Sequence, residues 1–182
     1  RSTSYGTPVH EIFLDVNHGT FIEGMSYAYF WKDKTMYKIN EMMEIEWEIL
    51  FDDYIRQVIM DMNGNTYTIF KNSRTIWKYN KDGKAIYYIN DSDDPTHYCR
   101  LYCGFVSEGG GHLYVTGVDF FGDGQYIAYV DHYDARRGKR IERMIKNYYD
   151  YGTAIEVDDP RYSYNDIYVD GDYVYLYGRS YI

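Results

Sequence analysis

Cysteine is scarce in this chain of 182 residues, with only Cys99 and Cys103 present. Two cysteines exclude a disulfide-built scaffold. If this segment is a strand, the two Cα atoms lie roughly 13 Å apart, too far for a disulfide between them. A rival interpretation starts a helix at Asp94-Pro95 and places both thiols on one face, with His97 nearby as a weak zinc signal. Buried free thiols are the favoured prediction, and a disulfide or a metal site are the alternatives.

Long apolar segments are also missing, and this excludes a membrane-spanning helix, which needs roughly 18 to 20 uncharged apolar residues. The chain starts with Arg1 to Ser4 and no hydrophobic signal core follows. We therefore expect a soluble chain from which any secretion signal has already been removed.

Positive charge is low, and the formal net charge is −9. A phosphate backbone is bound by neutralising many phosphates with Lys and Arg, so no nucleic-acid partner is expected. One basic run departs from this balance: Arg136, Arg137, Lys139, Arg140, Arg143 and Lys146. We interpret it as the end of a hairpin paired with neighbouring acids, with an anionic docking patch as the alternative.

Leucine is rare, with five residues against seventeen isoleucines, whereas tyrosine is abundant, with 25 residues. This balance favours strands over helices. Tyrosine suits half-buried sheet surfaces because its ring packs while its hydroxyl reaches water or a carbonyl group. Most of the tyrosines are therefore expected to fill sheets, and the alternative is a set of exposed rings that bind sugar or peptide.

A repeat with a period of forty residues is the main feature of the sequence. Residues 27–49 align without gaps on residues 67–89, and six positions are identical: Tyr27 and Tyr67, Phe30 and Phe70, Thr35 and Thr75, Lys38 and Lys78, Asn40 and Asn80, Ile49 and Ile89. Each copy consists of short strand-like segments separated by turns, and Asn63-Gly64 adds a strong hairpin signal. Four antiparallel strands per forty residues are typical of one blade of a β-propeller.

Weaker copies follow the first two. Residues 101–107, 110–115 and 125–131 predict strands of a third unit, whose outer strand spans residues 140–145 or, alternatively, forms a short helix. Residues 166–177 repeat the pattern of strand, Asp-Gly turn and strand. Two explanations account for the incomplete fourth unit. Either the early segments 11–16 and 20–23 pair with it and close a ring, or the chain is a fragment of a larger propeller, which is the explanation we favour.

The repeated block resembles the blades of the six-bladed propeller superfamily. Its features are an aromatic-x-aromatic-Phe segment, four polar residues, a Thr-apolar-aromatic-Lys segment and an Asn-containing turn. Propellers of the NHL-repeat and YWTD types and Tyr-rich bacterial propeller domains are similar in this pattern. The resemblance implies an architecture only, since no YWTD tetrapeptide occurs and no family's binding residues transfer to this chain.

No catalytic motif is recognisable in the sequence. Nucleophile elbows, phosphate-binding loops and the metalloprotease spacing of histidines are all missing. The acidic segments 61–65, 91–94 and 158–159 could offer oxygens to calcium, but turn formation explains them better. No cofactor is therefore predicted. Paired acids could support hydrolysis, yet nothing selects a pair among Glu23, Asp52, Asp53, Glu108, Asp119 and Asp158.

These observations predict an all-β protein, a β-propeller or propeller fragment of roughly 40-residue four-stranded blades, with residues 1–182 as one domain of about four units. The preferred function is a non-catalytic binding or scaffold module for a protein, peptide or carbohydrate. Ligand contacts are expected in the loops between blades and between second and third strands, at Trp31, Asp33, Tyr54, Arg56, Lys71, Arg74, His97 and Tyr98.

Two other functions remain open. One is a metal-assisted hydrolase or lactonase-like enzyme, and the other is a structural subunit of a surface assembly that associates through exposed edge strands. Secretion or display at the cell surface is the expected location.

Overall fold

The computed structural model describes residues 19–21, 27–42, 44–90, 98–107, 109–121, 125–150, 164–170 and 173–178. All regular elements within these ranges are strands, as the scarcity of leucine and the abundance of tyrosine predict. In chain order they are β1 (Gly19–Phe21), β2 (Tyr27–Lys32), β3 (Thr35–Asn40), β4 (Ile45–Leu50), β5 (Ile55–Met60), β6 (Thr66–Phe70), β7 (Thr75–Tyr79), β8 (Ala85–Asn90), β9 (Tyr98–Val106), β10 (His112–Phe121), β11 (Gln125–Asp134), β12 (Lys139–Asp150), β13 (Tyr164–Asp170) and β14 (Tyr173–Gly178).

Strands that follow one another in the chain pair with each other. They form three four-stranded antiparallel sheets, β1–β4, β5–β8 and β9–β12, and β13 pairs with β14. This order arises because short turns can join only antiparallel neighbours. We name the sheets I, II, III and IV in chain order. No helix long and apolar enough to cross a membrane occurs in the described ranges.

The forty-residue repeat is confirmed, since β2, β3 and β4 of sheet I correspond to β6, β7 and β8 of sheet II. The identical residues Asn40 and Asn80 show why the sequence repeats. The side-chain oxygen of Asn40 accepts hydrogen bonds from the backbone of Met42 and Glu44, both at 3.0 Å. Asn80 caps the equivalent turn through Asp82 and Lys84, at 3.0 and 2.9 Å. A repeated asparagine therefore encodes a repeated turn.

The sheets stack face to face because apolar side chains lie on both faces and must be covered. Between sheets I and II, Trp31 and Met36 pack in one cluster with Val58 and Phe70. Between sheets II and III the core contains Tyr67, Ile69, Ile76, Ile89, Leu101, Val106, Leu113, Val115, Tyr129 and Tyr133. Cys103 and Val130 of sheet III meet Ile167 of sheet IV.

The first strands of successive sheets also contact each other, β1 with β5, β5 with β9 and β9 with β13. Stacked four-stranded sheets whose first strands lie side by side have the arrangement of propeller blades around an axis. The chain thus folds as a β-propeller or as a fragment of one.

Of the two explanations for the incomplete fourth unit, the one in which the early segments close a ring is wrong for the described residues. The segment near Thr20 does not pair with the last unit, because β1 pairs with β2, with Gly19 opposite Phe30. It supplies the first strand of sheet I, where closing a short loop costs less entropy than pairing with a distant segment. The predicted strand at residues 11–16 lies outside the described residues.

The alternative helix around the cysteines is also wrong, because Cys99 and Cys103 both lie on β9. Cys103 is a buried thiol, as predicted. Its sulfur lies 3.1 Å from the hydroxyl oxygen of Thr116 on the neighbouring strand. The Cys99 side chain is outside the described part of the structure.

The basic run forms a hairpin end and part of β12, and its described ion pairs confirm the prediction of neighbouring acids. Arg143 binds the fully buried carboxylate of Asp131 through Nε and Nη2, both at 2.7 Å. It also reaches Asp119 at 2.9 Å, and Arg140 contacts Asp131 at 3.3 Å. Because a buried carboxylate is stable only when it is paired, these arginines hold sheet III together.

Candidate functional site

Three connections meet at one edge of sheets I and II. They are the β2–β3 turn at residues 33–34, the β4–β5 connection at residues 51–54 and the β6–β7 turn at residues 71–74. In a chain of antiparallel strands, the turn after the second strand and the exit from the fourth strand lie at the same end of the sheet. We call these three segments together the Tyr54 surface.

The β4–β5 connection is bound tightly to the turn of sheet I. The backbone nitrogen of Phe51 donates to the Lys34 carbonyl at 2.8 Å, and that of Ile55 donates to the Asp33 carbonyl at 2.7 Å. Asp33 has a positive φ of 55°, a conformation that aspartate adopts more readily than most residues. The turn and the connection therefore form one backbone unit.

Asp53 ties the same connection to the turn of sheet II. Its Oδ1 accepts hydrogen bonds from the Tyr54 backbone at 2.7 Å and from the Asn72 side-chain amide at 2.9 Å. Its Oδ2 accepts from the Asn72 backbone at 3.0 Å, and Lys71 N donates to the Tyr54 carbonyl at 2.9 Å. Tyr54 is thereby held on a backbone that is fixed from both sides.

The Tyr54 ring is 44% exposed, and a lysine from each neighbouring turn extends over it. The ammonium nitrogens of Lys34 and Lys71 lie 5.0 and 5.8 Å from its centroid. Such cation–π contacts stabilise an exposed site by roughly 0.5–1 kcal/mol. Lys34 is also fixed by a hydrogen bond of 2.6 Å to the Asp52 carbonyl. The result is an accessible aromatic ring with two positive charges beside it.

Four of the predicted ligand contacts, Asp33, Tyr54, Lys71 and Arg74, lie together on this surface. Trp31 corrects the predicted set, because its side chain is only 4% exposed. It belongs to the apolar cluster between sheets I and II, where alternation along β2 directs it inward. Trp31 therefore supports the surface from below and is not part of it.

The other three predicted residues are not brought to the Tyr54 surface by the described structure. Arg56 lies half-buried on β5. Tyr98 is the first residue of β9, and its side chain is outside the described part. His97 also lies outside the described residues.

The sequence analysis did not include Lys34 or Asn72 among the residues of this surface. It also did not recognise that Asp53 joins two connections. The repeat contains the signal for Lys34, because Lys34 aligns with Arg74 at a shift of forty residues. No sequence signal marks the link between Asp53 and Asn72, since it joins connections from different sheets.

The opposite edge of the stack carries a polar cluster between sheets II and III. The Ala135 carbonyl accepts hydrogen bonds from the Lys78 ammonium at 2.8 Å, from the Tyr67 hydroxyl at 3.4 Å and from the Tyr87 hydroxyl. Burial lowers the pKa of Lys78, although Asp61 opposes the change. Burial also raises the pKa of Tyr67 and Tyr87. These groups are hydrogen-bonded to one carbonyl group and join sheets II and III.

The acidic turn at residues 61–65 is a backbone turn, as predicted. The buried Asp61 accepts hydrogen bonds from the backbone nitrogens of Asn63 and Asn65, both at 2.9 Å. The acidic segments 91–94 and 158–159 lie outside the described residues. In the ranges that are described, no group of three or more His, Cys, Asp or Glu residues could hold a metal ion.

No protein-family profile matches the chain, and no curated protein is similar to it in sequence. Its fold is similar to that of a protein from Lactobacillus plantarum, with a TM-score of 0.50, 11% identity and coverage of 71% of this chain and 40% of that one. Streptogramin B lyase has a TM-score of 0.46 and 13% identity over 74% of this chain and 54% of that one. BamB from Moraxella catarrhalis has a TM-score of 0.37 and 10% identity over 69% and 48%.

The chain therefore spans between 40% and 54% of the length of these three structures. At this low sequence identity, the similarity is one of fold alone.

Proposed function

We propose that this chain is a non-catalytic binding module and that its Tyr54 surface binds an acidic segment of a protein partner. The observation that carries the proposal is the exposed Tyr54 ring, placed between two lysines on backbone fixed by two sheets. Loops that a rigid scaffold positions are common binding sites.

The residue types support a protein partner. Tyrosine and arginine are enriched among the residues that dominate protein interfaces, and tyrosine loses little conformational entropy when it is covered. Arg74 lies in the same turn as Lys71. The ammonium groups of Lys34 and Lys71 complement carboxylates of a partner beside the ring. By contrast, the exposed Asp33 and Asp52 leave the rest of the surface without an excess of positive charge. Such charge contacts raise the association rate more than the affinity.

The experiment uses an immobilised library of short peptides with graded acidic content. Replacing Tyr54 with Ala should weaken binding by at least about 30-fold, which corresponds to about 2 kcal/mol for a dominant interface residue. Lys34→Ala and Lys71→Ala should each weaken binding less and reduce its dependence on salt. All three variants should keep the melting temperature of the wild type within about 2 °C.

Tyr173→Ala and Lys84→Ala are matched controls, because both residues are exposed and lie away from this surface. Unchanged binding in Tyr54→Ala would contradict the proposal. Binding to an oligosaccharide array instead of the peptides, with the same dependence on Tyr54, would replace the protein partner with a carbohydrate.

Two further predictions accompany this proposal. We infer that the propeller resembles the six-bladed class, which a structure of the closed ring would test. We also infer secretion or surface display, which fractionation of the producing cell would test.

A further inference from the structure

Three polar side chains form a line across sheet III, at the edge opposite the Tyr54 surface. They are His112 on β10, His132 on β11 and Glu142 on β12. Nδ1 of His112 lies 2.9 Å from Nε2 of His132, and Nδ1 of His132 lies 3.5 Å from a Glu142 carboxylate oxygen. The register creates this line, because His132 is opposite Tyr114 on one side and Glu142 on the other.

The His132 ring is held in one orientation. The Tyr114 ring stacks on it with centroids 4.5 Å apart and planes 10° from parallel, and the His132 side chain is only 12% exposed. Glu142 can accept the Nδ1 proton of His132, which leaves the Nε2 lone pair directed at His112. A carboxylate that fixes the tautomer and ring orientation in this way is the usual companion of a metal-binding histidine.

The separation of the two facing nitrogens suits one coordination geometry. Metal–imidazole bonds are about 2.0–2.1 Å long, so two nitrogens at 90° around one ion are about 2.9 Å apart. A tetrahedral ion needs a separation of about 3.4 Å. The observed 2.9 Å is that of a hydrogen bond between the two rings, and a rotation of the exposed His112 ring at the same separation would bring both nitrogens to adjacent positions of a tetragonal ion such as Cu²⁺ or Ni²⁺.

We propose that His112 and His132 are a pair of nitrogen ligands for a tetragonal divalent transition-metal ion, with Cu²⁺ bound most tightly. Without metal, one of the facing nitrogens carries the proton shared between the rings, and metal binding releases that proton to solvent. His112 is exposed and can turn its ring towards the ion. Water completes the coordination. This site is independent of the proposed binding function, because it uses none of the residues of the Tyr54 surface.

The test is a titration of the full chain with Cu²⁺, followed by protein fluorescence and by electron paramagnetic resonance. The wild type should bind one ion with hyperfine splitting from two imidazole nitrogens. Losing the second ligand removes the chelate effect, so His112→Ala should weaken binding by at least about 100-fold. Glu142→Gln should weaken it by about 10- to 100-fold while both ligands remain. Ni²⁺ should bind less tightly than Cu²⁺.

His112→Ala is the decisive variant because the side chain is exposed and its removal should leave the fold intact. Lys84→Ala is a control, because Lys84 is exposed and lies in the β7–β8 turn of sheet II, outside the proposed site, and its Cu²⁺ affinity should equal that of the wild type. Equal affinity in the wild type and in His112→Ala would overturn the proposal, as would a spectrum with a single imidazole nitrogen. The same conclusion would follow if Glu142→Gln and the wild type bound Cu²⁺ equally well.

Discussion

The interface between sheets I and II and the interface between sheets II and III use the same position of the repeat. Trp47 of sheet I donates to the Lys81 carbonyl at 3.2 Å, and Tyr87, forty residues later, donates to the Ala135 carbonyl. Each aromatic ring also covers a glycine in the third turn of the next sheet, Gly83 or Gly138. In both interfaces, therefore, an aromatic ring of one sheet packs against the third turn of the next sheet.

The two interfaces differ in what they do with the repeated lysine. Lys38 forms an ion pair of 2.7 Å with Glu46 inside its own sheet. The position equivalent to Glu46 is Ile86 in sheet II, so Lys78 has no such acid on β8 and donates across the interface to Ala135. A single substitution in the repeat thus changes a lysine that stabilises one sheet into a lysine that joins two. Similar sequences need not give equally strong interfaces.

The largest expected difference concerns the repeated tyrosine. Tyr67 is fully buried between sheets II and III, and we expect Tyr67→Ala to lower the free energy of unfolding by about 3–5 kcal/mol, as for other large aromatic residues. Tyr27 is only half-buried, so Tyr27→Ala should cost about half as much. Urea unfolding of both variants measures the difference. Equal losses would show that the two interfaces are energetically equivalent.

An intermediate effect is expected at the glycines under the aromatic rings. Gly83 and Gly138 have φ values of 76° and 68°, and an alanine in this conformation costs roughly 1–2 kcal/mol. At Gly138 the new Cβ would lie 2.8 Å from the Tyr87 ring, against 3.1 Å from Trp47 at Gly83. Gly138→Ala should therefore lower the melting temperature more than Gly83→Ala.

Gly109→Ala is the control for both variants, because no heavy atom of the described residues lies within 4 Å of the position that its new methyl group would take. It should leave the melting temperature unchanged. A larger loss in Gly83→Ala than in Gly138→Ala would contradict the difference in packing between the two interfaces.

The smallest expected effect is a pH dependence caused by Lys78. Burial lowers its pKa below the ordinary 10.5, so at alkaline pH the unfolded chain holds a proton that the folded chain has released. Stability should therefore rise with pH in the range below 10.5. In Lys78→Met this contribution is removed. Measuring the wild type and the variant between about pH 8 and about pH 9.5 avoids most tyrosine ionisation. If the stabilities of the wild type and of Lys78→Met changed equally with pH, the Lys78 ammonium would not be buried at this interface.

Much of the fold was predictable from local patterns. The strands of sheets I and II follow the forty-residue repeat and the turn signals of residues 27–49 and 67–89, and the connections that form the Tyr54 surface follow from strand order. Trp31 was misplaced because a residue near the end of a strand can point to either face, and the sequence contains no marker for the choice. Lys34 was overlooked although the repeat aligns it with Arg74.

Contacts between separate sheets or across several strands were not predictable. His112 and His132 are twenty residues apart and meet only through the pairing of β10 with β11. Asp131 is fully buried because Arg143, from the next strand, pairs with it. Spacing along the chain contains no information on such registers unless the hairpin turn between the strands is known.

The sequence by itself determined that the chain is built from repeated antiparallel units, because the repeat can be read directly from the residues and turn residues act over a few neighbours. Only the tertiary structure decided which residues lie between the sheets, which lysine crosses an interface and which loops surround Tyr54. These outcomes depend on how one sheet stacks on the next, and stacking depends on side chains forty or more residues apart.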